Sequence, residues 1–491
     1  MRQSLRRSNR LIAGKEPTVQ LAQGRFRGRG NAGYQTFAGI PYAKQPVASR
    51  RWRAPEPITS PSRFVGDATA FGPMAPQISG DSASAAEMDE GCLNLNVWCP
   101  KDAKAAPVMV WIHGGGFCQG SNRCRGSVFA KAGVVLVAPN YRLGLLGFMS
   151  HQALDDHSAN FGLLDLVEAL RWVRDNIEAF GGDPNNVSIF GVSAGGQAVN
   201  LLMVMQSAAG LFHQAIAQSG YGTWPLLRAN PGEGSPLDLM GQSAEVAEVA
   251  ATQTLRRAGA AASTLAELLG VNAGQIVSGQ RGFQRPIVDG SVIAEEPGMG
   301  FEQGQMQAVP YLAGANSFDG SVMPSYQLDP ERYRRYWDNY QAAWRSAYAS
   351  EIDEEVVVKR LFGDQRYLFS SWKLTEAIGR RGGTAYRYYL DVAVGDEPKL
   401  GTPHGFDAFL LFEAEVSLPG TALADWGRRL RQAWISFAET QQPRALIESE
   451  QWSPVGAGSD WHRLGRASGI TDIELKDRIS LLNSQYEHRI A

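Results

Sequence analysis

An alternation that begins near residue 107 constrains this chain more than any other feature. Short apolar runs, VMVWI (Val108–Ile112), VVLVAPNY (Val134–Tyr141) and NVSIF (Asn186–Phe190), are separated by longer stretches with helical spacing. Short β-branched runs alternating with helical periodicity are the signature of βαβ units around a parallel sheet. Between the second and third runs, Leu164, Val167, Leu170, Val173 and Ile177 recur every three or four residues, with Glu168, Arg171 and Arg174 between them. That spacing predicts an amphipathic helix with one face on the sheet. Gly181, Gly182, Asp183 and Pro184 then read as a stop and turn before NVSIF.

Later segments continue the pattern. FHQAIAQSG, VPYLAGAN and AYRYYLDV read as strands, and the stretch from about Asp425 to Thr440 has helical spacing. The expected fold class is α/β, a mostly parallel central sheet flanked by helices. Two interruptions stand out. Residues 221–286 hold RANPGEGSPLD and short Ala-rich pieces, which read either as an inserted cap or as an ordinary surface excursion. Residues 320–380, rich in aromatic and charged residues, read as a second helical insertion.

Composition bounds the function. Hydrophobic residues make up 44% of the 491-residue chain and charged residues 20%, enough apolar material for a large core. A formal net charge of -2 excludes the basic excess on which counterion-driven nucleic-acid binding depends. The start, MRQSLRRSNRLIAGKEPTVQ, is basic but has no apolar stretch behind it, and no later segment offers the ~20 apolar residues of a membrane span. A cytoplasmic protein is expected, with secretion after removal of a signal left open. Cys92, Cys99, Cys118 and Cys124 lie within one short region, which favours free thiols in a reducing compartment. No cluster of metal ligands and no dinucleotide fingerprint is visible, so no metal or organic cofactor is expected.

Two motifs carry chemistry. GVSAG (Gly191–Gly195) directly follows NVSIF and precedes the helical stretch GQAVNLLM. A turn this sharp between strand and helix strains the central residue and holds Ser193 exposed at the helix N-terminus. The alternative is a serine that merely N-caps the helix. HGGGF (His113–Phe117) ends the run VMVWI. Consecutive glycines let backbone N–H groups point into a cavity, as an oxyanion hole requires, although a chain-reversing turn would use the same residues.

Taken together, GIPYAKQPVASRRWRAPEP, GCLNLNVW, VWIHGGGF, NYRLGLLGF, the run from Asn160 to Gly196 and GTPHGFDAFLLF resemble the type-B carboxylesterases, the group that includes bacterial para-nitrobenzyl esterases and the cholinesterases. The resemblance runs from about Val19 to near the C-terminus and is densest between Gly39 and Ser219. It implies an α/β-hydrolase catalytic domain over residues 17–491 behind an N-terminal arm (1–16), and hydrolysis of carboxylic esters. Ser193 matches the nucleophile, and the N–H groups of Gly115, Gly116 and Ala194 match the oxyanion donors. Arg51 with Glu90 and Arg142 with Asp165 match structural ion pairs. The family disulfide loses its usual partner for Cys92, because Ala75 stands in that place.

Such hydrolases order the triad as nucleophile, acid, histidine. Of the histidines after Ser193, His213 comes too soon for an acid to intervene, and His462 and His488 lack a loop of small residues. His404, flanked by Gly401 and Gly405, suits a loop that swings a ring toward the active edge, and the resemblance points to it as well. Asp319, in SFDG after YLAGAN, stands where the family usually carries glutamate, and Asp407 competes for the same role. Ser219 matches a family serine that supports the histidine network, or is an ordinary strand-end turn.

For the substrate, Val192 replaces the glutamate that precedes the nucleophile in cholinesterases, and the loop PQISGDSASAAEMDEG has no aromatic residue to hold a quaternary ammonium. The expected partner is a small or medium, uncharged ester, with Val192, Phe117 and Trp224 as candidate pocket residues and the chain as monomer or homodimer. The rival readings are an inactive binding module of the same fold, or amide cleavage or a lyase reaction by the same triad.

Overall fold

The central strands of this protein are buried on both faces, and side-chain alternation decides which layer each residue joins. Val108, Val110 and Ile112 enter one apolar cluster, while Met109 and Trp111 enter another. In the computed structural model, which describes residues 16–490 apart from 60–64, 79–85, 155–158, 230–245, 352, 446–450 and 457–460, these strands belong to a ten-stranded sheet. In chain order the strands are β1 (Arg29–Gly30), β2 (Tyr34–Pro41), β3 (Asn94–Pro100), β4 (Ala106–Ile112), β5 (Val135–Pro139), β6 (Gly182–Val192), β7 (Gln214–Gln218), β8 (Tyr311–Asn316), β9 (Ala385–Leu390) and β10 (His462–Leu464). Across the sheet they run β10-β9-β8-β7-β6-β4-β5-β3-β2-β1. Pairing is parallel from β10 to β5 and antiparallel from β5 to β1.

Five helices cover the sheet or build the surroundings of the site: α1 (Phe161–Asn176), α2 (Ala194–Val204), α3 (Glu354–Gly363), α4 (Phe369–Gly379) and α5 (Ala422–Thr440). Leu166, Val167, Leu170 and Val173 of α1 join Ala198, Val199 and Leu202 of α2 on one face of the sheet. On the other face, Leu430, Ala433, Trp434 and Phe437 of α5 pack against Trp111 and Phe190. Each buried Leu, Val or Phe among these contributes about 1.5–3 kcal/mol, which holds the layers against the sheet.

Two local expectations are corrected. In α1, Leu163 and Leu166 are buried where Leu164 is only half-buried, and Glu168 is buried too. The outer flank of the helix is covered, because Trp172 Nε1 donates to Gln23 Oε1 at 3.3 Å from the N-terminal strands. Burial then raises the Glu168 carboxyl above its ordinary range. The turn before NVSIF lies at Gly181 (φ 81°), and Gly182, Asp183 and Pro184 already belong to β6, since Gly182 pairs with Ala106.

Of the segment 221–286, RANPGEGSPLD lies mostly outside the described residues, and the remainder carries helices Ala247–Arg257, Leu265–Gly270 and Ala273–Ser278. In 320–380, α3 and α4 are joined through a π-helical turn, Asp364–Leu368, into one continuous helix. No helix among the described residues is long and apolar enough to cross a membrane. From β4 the chain passes to β5 on one side and then to β6 on the other, so the C-terminal ends of β4 and β6 form a switch point, the usual place for a site in an open α/β sheet.

Candidate active site

Ser193 sits on that switch point, one residue beyond β6. Its backbone angles, φ 58° and ψ −119°, are a strained combination for a residue with a Cβ. Two backbone hydrogen bonds hold it there: Ser193 N–H donates to Gln218 O at the end of β7 (2.9 Å), and Gln197 N–H donates to Ser193 O to open α2 (2.8 Å). The glycines on either side are steric necessities. A Cβ on Gly195 would lie 2.1 Å from Ile112 O, and one on Gly191 would lie 2.6 Å from the same atom. The Ser193 side chain caps nothing, so it is not an N-capping serine, and it stays half-buried at the head of α2.

The glycine loop follows β4. Gly115 (φ 109°) and Gly116 (φ 59°) turn it in conformations that L side chains rarely adopt. The carbonyls of both are engaged, Gly115 O by Gln119 N–H at 3.0 Å and Gly116 O by Gln284 N–H at 2.8 Å. Among the described residues nothing accepts a hydrogen bond from the N–H of Gly115, Gly116 or Ala194. Beneath the loop, His113 stacks on Tyr141 (4.5 Å between centroids), whose hydroxyl donates to His113 O at 2.9 Å. Burial drives the His113 pKa down to about 4, so this ring is a neutral prop.

Asp319 follows β8 and is 2% exposed. Its Oδ2 accepts from Ser219 Oγ (2.9 Å) and from Asn316 N–H (2.8 Å), while Oδ1 faces His404 Nδ1 at 2.7 Å. The imidazole is therefore held by one nitrogen, and its Nε2 is buried with no hydrogen-bond partner. Asp407 is buried in the same region but bonds elsewhere, with Gln218 Nε2 donating to it at 2.8 Å and Asn316 Nδ2 at 3.4 Å. Burial and the neighbouring Asp319 charge raise its pKa. Ser219, at φ 43°, is a bent strand-end residue that also bonds the acid facing His404.

Comparison with known proteins decides the family. The profile of the carboxylesterase family matches residues 15–467. The chain belongs to the carboxylesterase family. The para-nitrobenzyl esterase of Bacillus subtilis (strain 168) is 34% identical over 93% of this chain and 95% of its own length. The fumonisin B1 esterase of Sphingopyxis macrogoltabida is 33% identical over 89% and 82% respectively. The crystal structure of a Geobacillus stearothermophilus carboxylesterase superposes with a TM-score of 0.79 at 28% identity, covering 95% of this chain and 99% of the other. The α/β-hydrolase fold and hydrolysis of carboxylic esters follow.

Other expected positions in this carboxylesterase fall into two groups. Arg51 engages Glu90 through two bonds of 2.6 and 2.5 Å, and Arg142 engages Asp165 through 2.8 and 2.6 Å, both as expected of scaffold pairs. The pocket residues divide differently. Phe117 is fully buried edge-on to Phe148 (5.0 Å), beneath the glycine loop. Val192 is likewise packed into the apolar cluster that holds Trp111 and Phe190. Trp224, 9% exposed, belongs to the aromatic cluster formed by residues 320–380.

Three neighbours of the site have no counterpart among the residues expected from sequence. Ser321 Oγ accepts from His404 N–H at 2.9 Å, the Tyr367 ring lies 4.5 Å from the imidazole, and Phe283 fills the space above Gly116, where a Cβ would come within 2.0 Å of its ring. Only Ser321 leaves a signal, as the hydroxyl two residues after the acid.

Proposed function

We propose that this carboxylesterase works through Ser193, His404 and Asp319 by way of an acyl-enzyme. His404 Nε2 takes the Ser193 proton, and Ser193 Oγ attacks the ester carbonyl. The N–H groups of Gly115, Gly116 and Ala194 stabilise the oxyanion, the alcohol leaves with the proton from His404, and water then repeats the sequence on the acyl group. The observation that carries this reading is the imidazole fixed at Nδ1 by Asp319 with Nε2 unpaired. In the resting enzyme Nε2 bonds nothing, so the Ser193 hydroxyl must swing onto it, consistent with catalytic hydrogen bonds that tighten only when substrate arrives. Aspartate replaces the usual glutamate without loss of reach, because the contact is already 2.7 Å.

The test is trapping of the intermediate. Rapid mixing with p-nitrophenyl acetate should give a burst of nitrophenolate equal to the enzyme concentration, with one acetyl group on the Ser193 peptide. Ser193→Ala should abolish both and lower kcat by about 10⁶. More than a tenth of wild-type hydrolysis in Ser193→Ala would sink the assignment.

A further inference from the structure

The π-helical turn between α3 and α4 presents Arg366, which is 2% exposed. Its guanidinium carbon lies over four rings: Tyr221 at 3.9 Å, Tyr326 at 4.4 Å, Trp224 at 4.6 Å and Tyr367 at 5.8 Å. The guanidinium donates a hydrogen bond to the Tyr221 side chain, but its Nε and Nη1 are buried and have no hydrogen-bond partner, and no described carboxylate pairs with it. Burial would lower its pKa, but the phenols of Tyr326, Tyr367 and Tyr221 more than offset that, so the cation persists.

Neighbouring arginines show what a scaffold role looks like in this part of the fold. Arg478 also lies over a ring, that of Tyr348, yet donates to Asp364 at 3.2 Å, and Arg360 pairs with Glu351 and donates to Ser317 O at 2.6 Å. Arg366 alone of the three has neither carboxylate nor carbonyl. A buried charge without a counter-charge is costly, and a π-turn within an α-helix costs helix geometry; both are features retained at binding sites.

Its position adds the ligand. The Tyr367 ring lies 5.8 Å from the Arg366 guanidinium carbon and 4.5 Å, tilted, from the imidazole; its hydroxyl bonds the Tyr326 hydroxyl at 3.0 Å, and Tyr326 meets Phe283, which sits on Gly116. The caged cation is thus one ring away from the imidazole and continuous with the glycine loop. We propose that Arg366 is an anion subsite and that the preferred substrate is an ester whose acyl or alcohol part carries a carboxylate. A single delocalised cation with unused N–H donors matches one carboxylate in charge and geometry. The aromatic cage that would otherwise receive an ammonium group is filled by the protein's own cation, so choline-type esters are repelled. This replaces the uncharged substrate expected from Val192 and the aromatic-free loop.

The inference rests on the proposed serine mechanism, and its test separates the two. kcat/KM is measured at fixed ionic strength for two matched pairs. One pair is mono-p-nitrophenyl glutarate and its methyl ester; the other is 3-butanoyloxybenzoate and its methyl ester. In at least one pair the carboxylate form should be favoured about tenfold or more, and Arg366→Gln should abolish that preference while the neutral member changes less than about threefold. Glutarate should inhibit the wild type competitively and dimethyl glutarate should not, a measurement that needs no variant to fold. Equal treatment of both pairs, equal inhibition by the two glutarates, or an equal loss for charged and neutral esters in Arg366→Gln would overturn the proposal. Hydrolysis that survives Ser193→Ala with the charge preference intact would overturn the mechanism instead.

Discussion

On the side of the site built from the N-terminal half of the chain, the buried Arg142, just after β5, is matched by Asp165 of α1 through two short bonds, and the buried Arg51 is matched by Glu90. On the side built from residues 319–407, Arg366 is just as buried and has no carboxylate partner among the described residues. Burial alone therefore does not tell a scaffold charge from a binding one; the presence of a counter-charge does. Removing one member of a buried pair typically costs 3–5 kcal/mol, so Arg142 and Asp165 hold the fold. A charge left without a partner fits a site that is completed by its ligand.

The sharpest probe of this contrast uses the two buried carboxylates that lie on the second side. Asp319 receives three bonds and faces His404, whereas Asp407 is bonded by Gln218 and Asn316 and misses the ring. Asp319→Asn should lower kcat by about 10⁴, because the amide favours the wrong imidazole tautomer, with little change in Tm. Asp407→Asn should lower kcat by less than about tenfold, since only its field reaches the ring. Reversed effects would make Asp407 the orienting residue and erase the difference between the two carboxylates.

A smaller effect probes the first side. In Gly116→Ala the new Cβ meets the Phe283 ring at 2.0 Å, and φ 59° disfavours any L side chain, so the loop must move. If Gly116 N–H is an oxyanion donor as proposed, displacing it costs about 3 kcal/mol, or roughly 10² in kcat, with KM nearly unchanged. Gly405→Ala, at φ 77° but with open space around it, carries backbone strain alone and should lower Tm slightly while sparing kcat relative to Gly116→Ala. Equal losses of kcat in the two variants would mean that strain, not donor position, controls the loop.

The same two sides differ in how readily sequence reveals them. Ser193, the glycine loop, Arg51, Arg142 and the parallel strands follow from short-range rules, because a tight turn, a close backbone approach or an apolar run leaves its mark within a few residues. His404 and Asp319 are reached through chain order and loop composition, Asp319 just after β8 and His404 in a glycine-flanked loop. Phe117 and Val192 are packed in the core clusters: a bulky residue beside a site motif can serve the core as well as a pocket. Arg366 and Tyr367, adjacent in the chain, meet Phe283 and His404 only through the packing of segments far apart in sequence. The local sequence, Leu361 to Phe369, mixes apolar residues with Asp364, Gln365 and Arg366. Nothing in that spacing says that the arginine would be caged and not paired.

The smallest expected effect concerns the cysteines, all of which lie on the motif-bearing side. None is in a disulfide: Cys92 and Cys99 are buried, and Cys118 and Cys124 are half-buried. Burial raises every one of these thiols, Cys99 to about 12, so little thiolate exists at neutral pH and the native protein should react slowly with a thiol reagent at pH 8. After denaturation without reductant all four should titrate, as expected of a protein from a reducing compartment. A count of two would reveal a disulfide and break the reading. Cys118 lies closest to the chemistry, its Sγ donating to Gly115 O at 3.5 Å behind the glycine loop. That bond is long and weak, and Gly115 O is held independently by Gln119 N–H, so Cys118→Ser should change kcat by less than about threefold. Alkylation at the same sulfur adds bulk where Gly115 already has no room, a Cβ there lying 2.2 Å from Gln119 O. It should therefore inactivate the enzyme, and Cys118→Ser should be protected. Loss of activity in Cys118→Ser itself would mean that the weak sulfur contact, and not the backbone bonds, fixes the oxyanion loop.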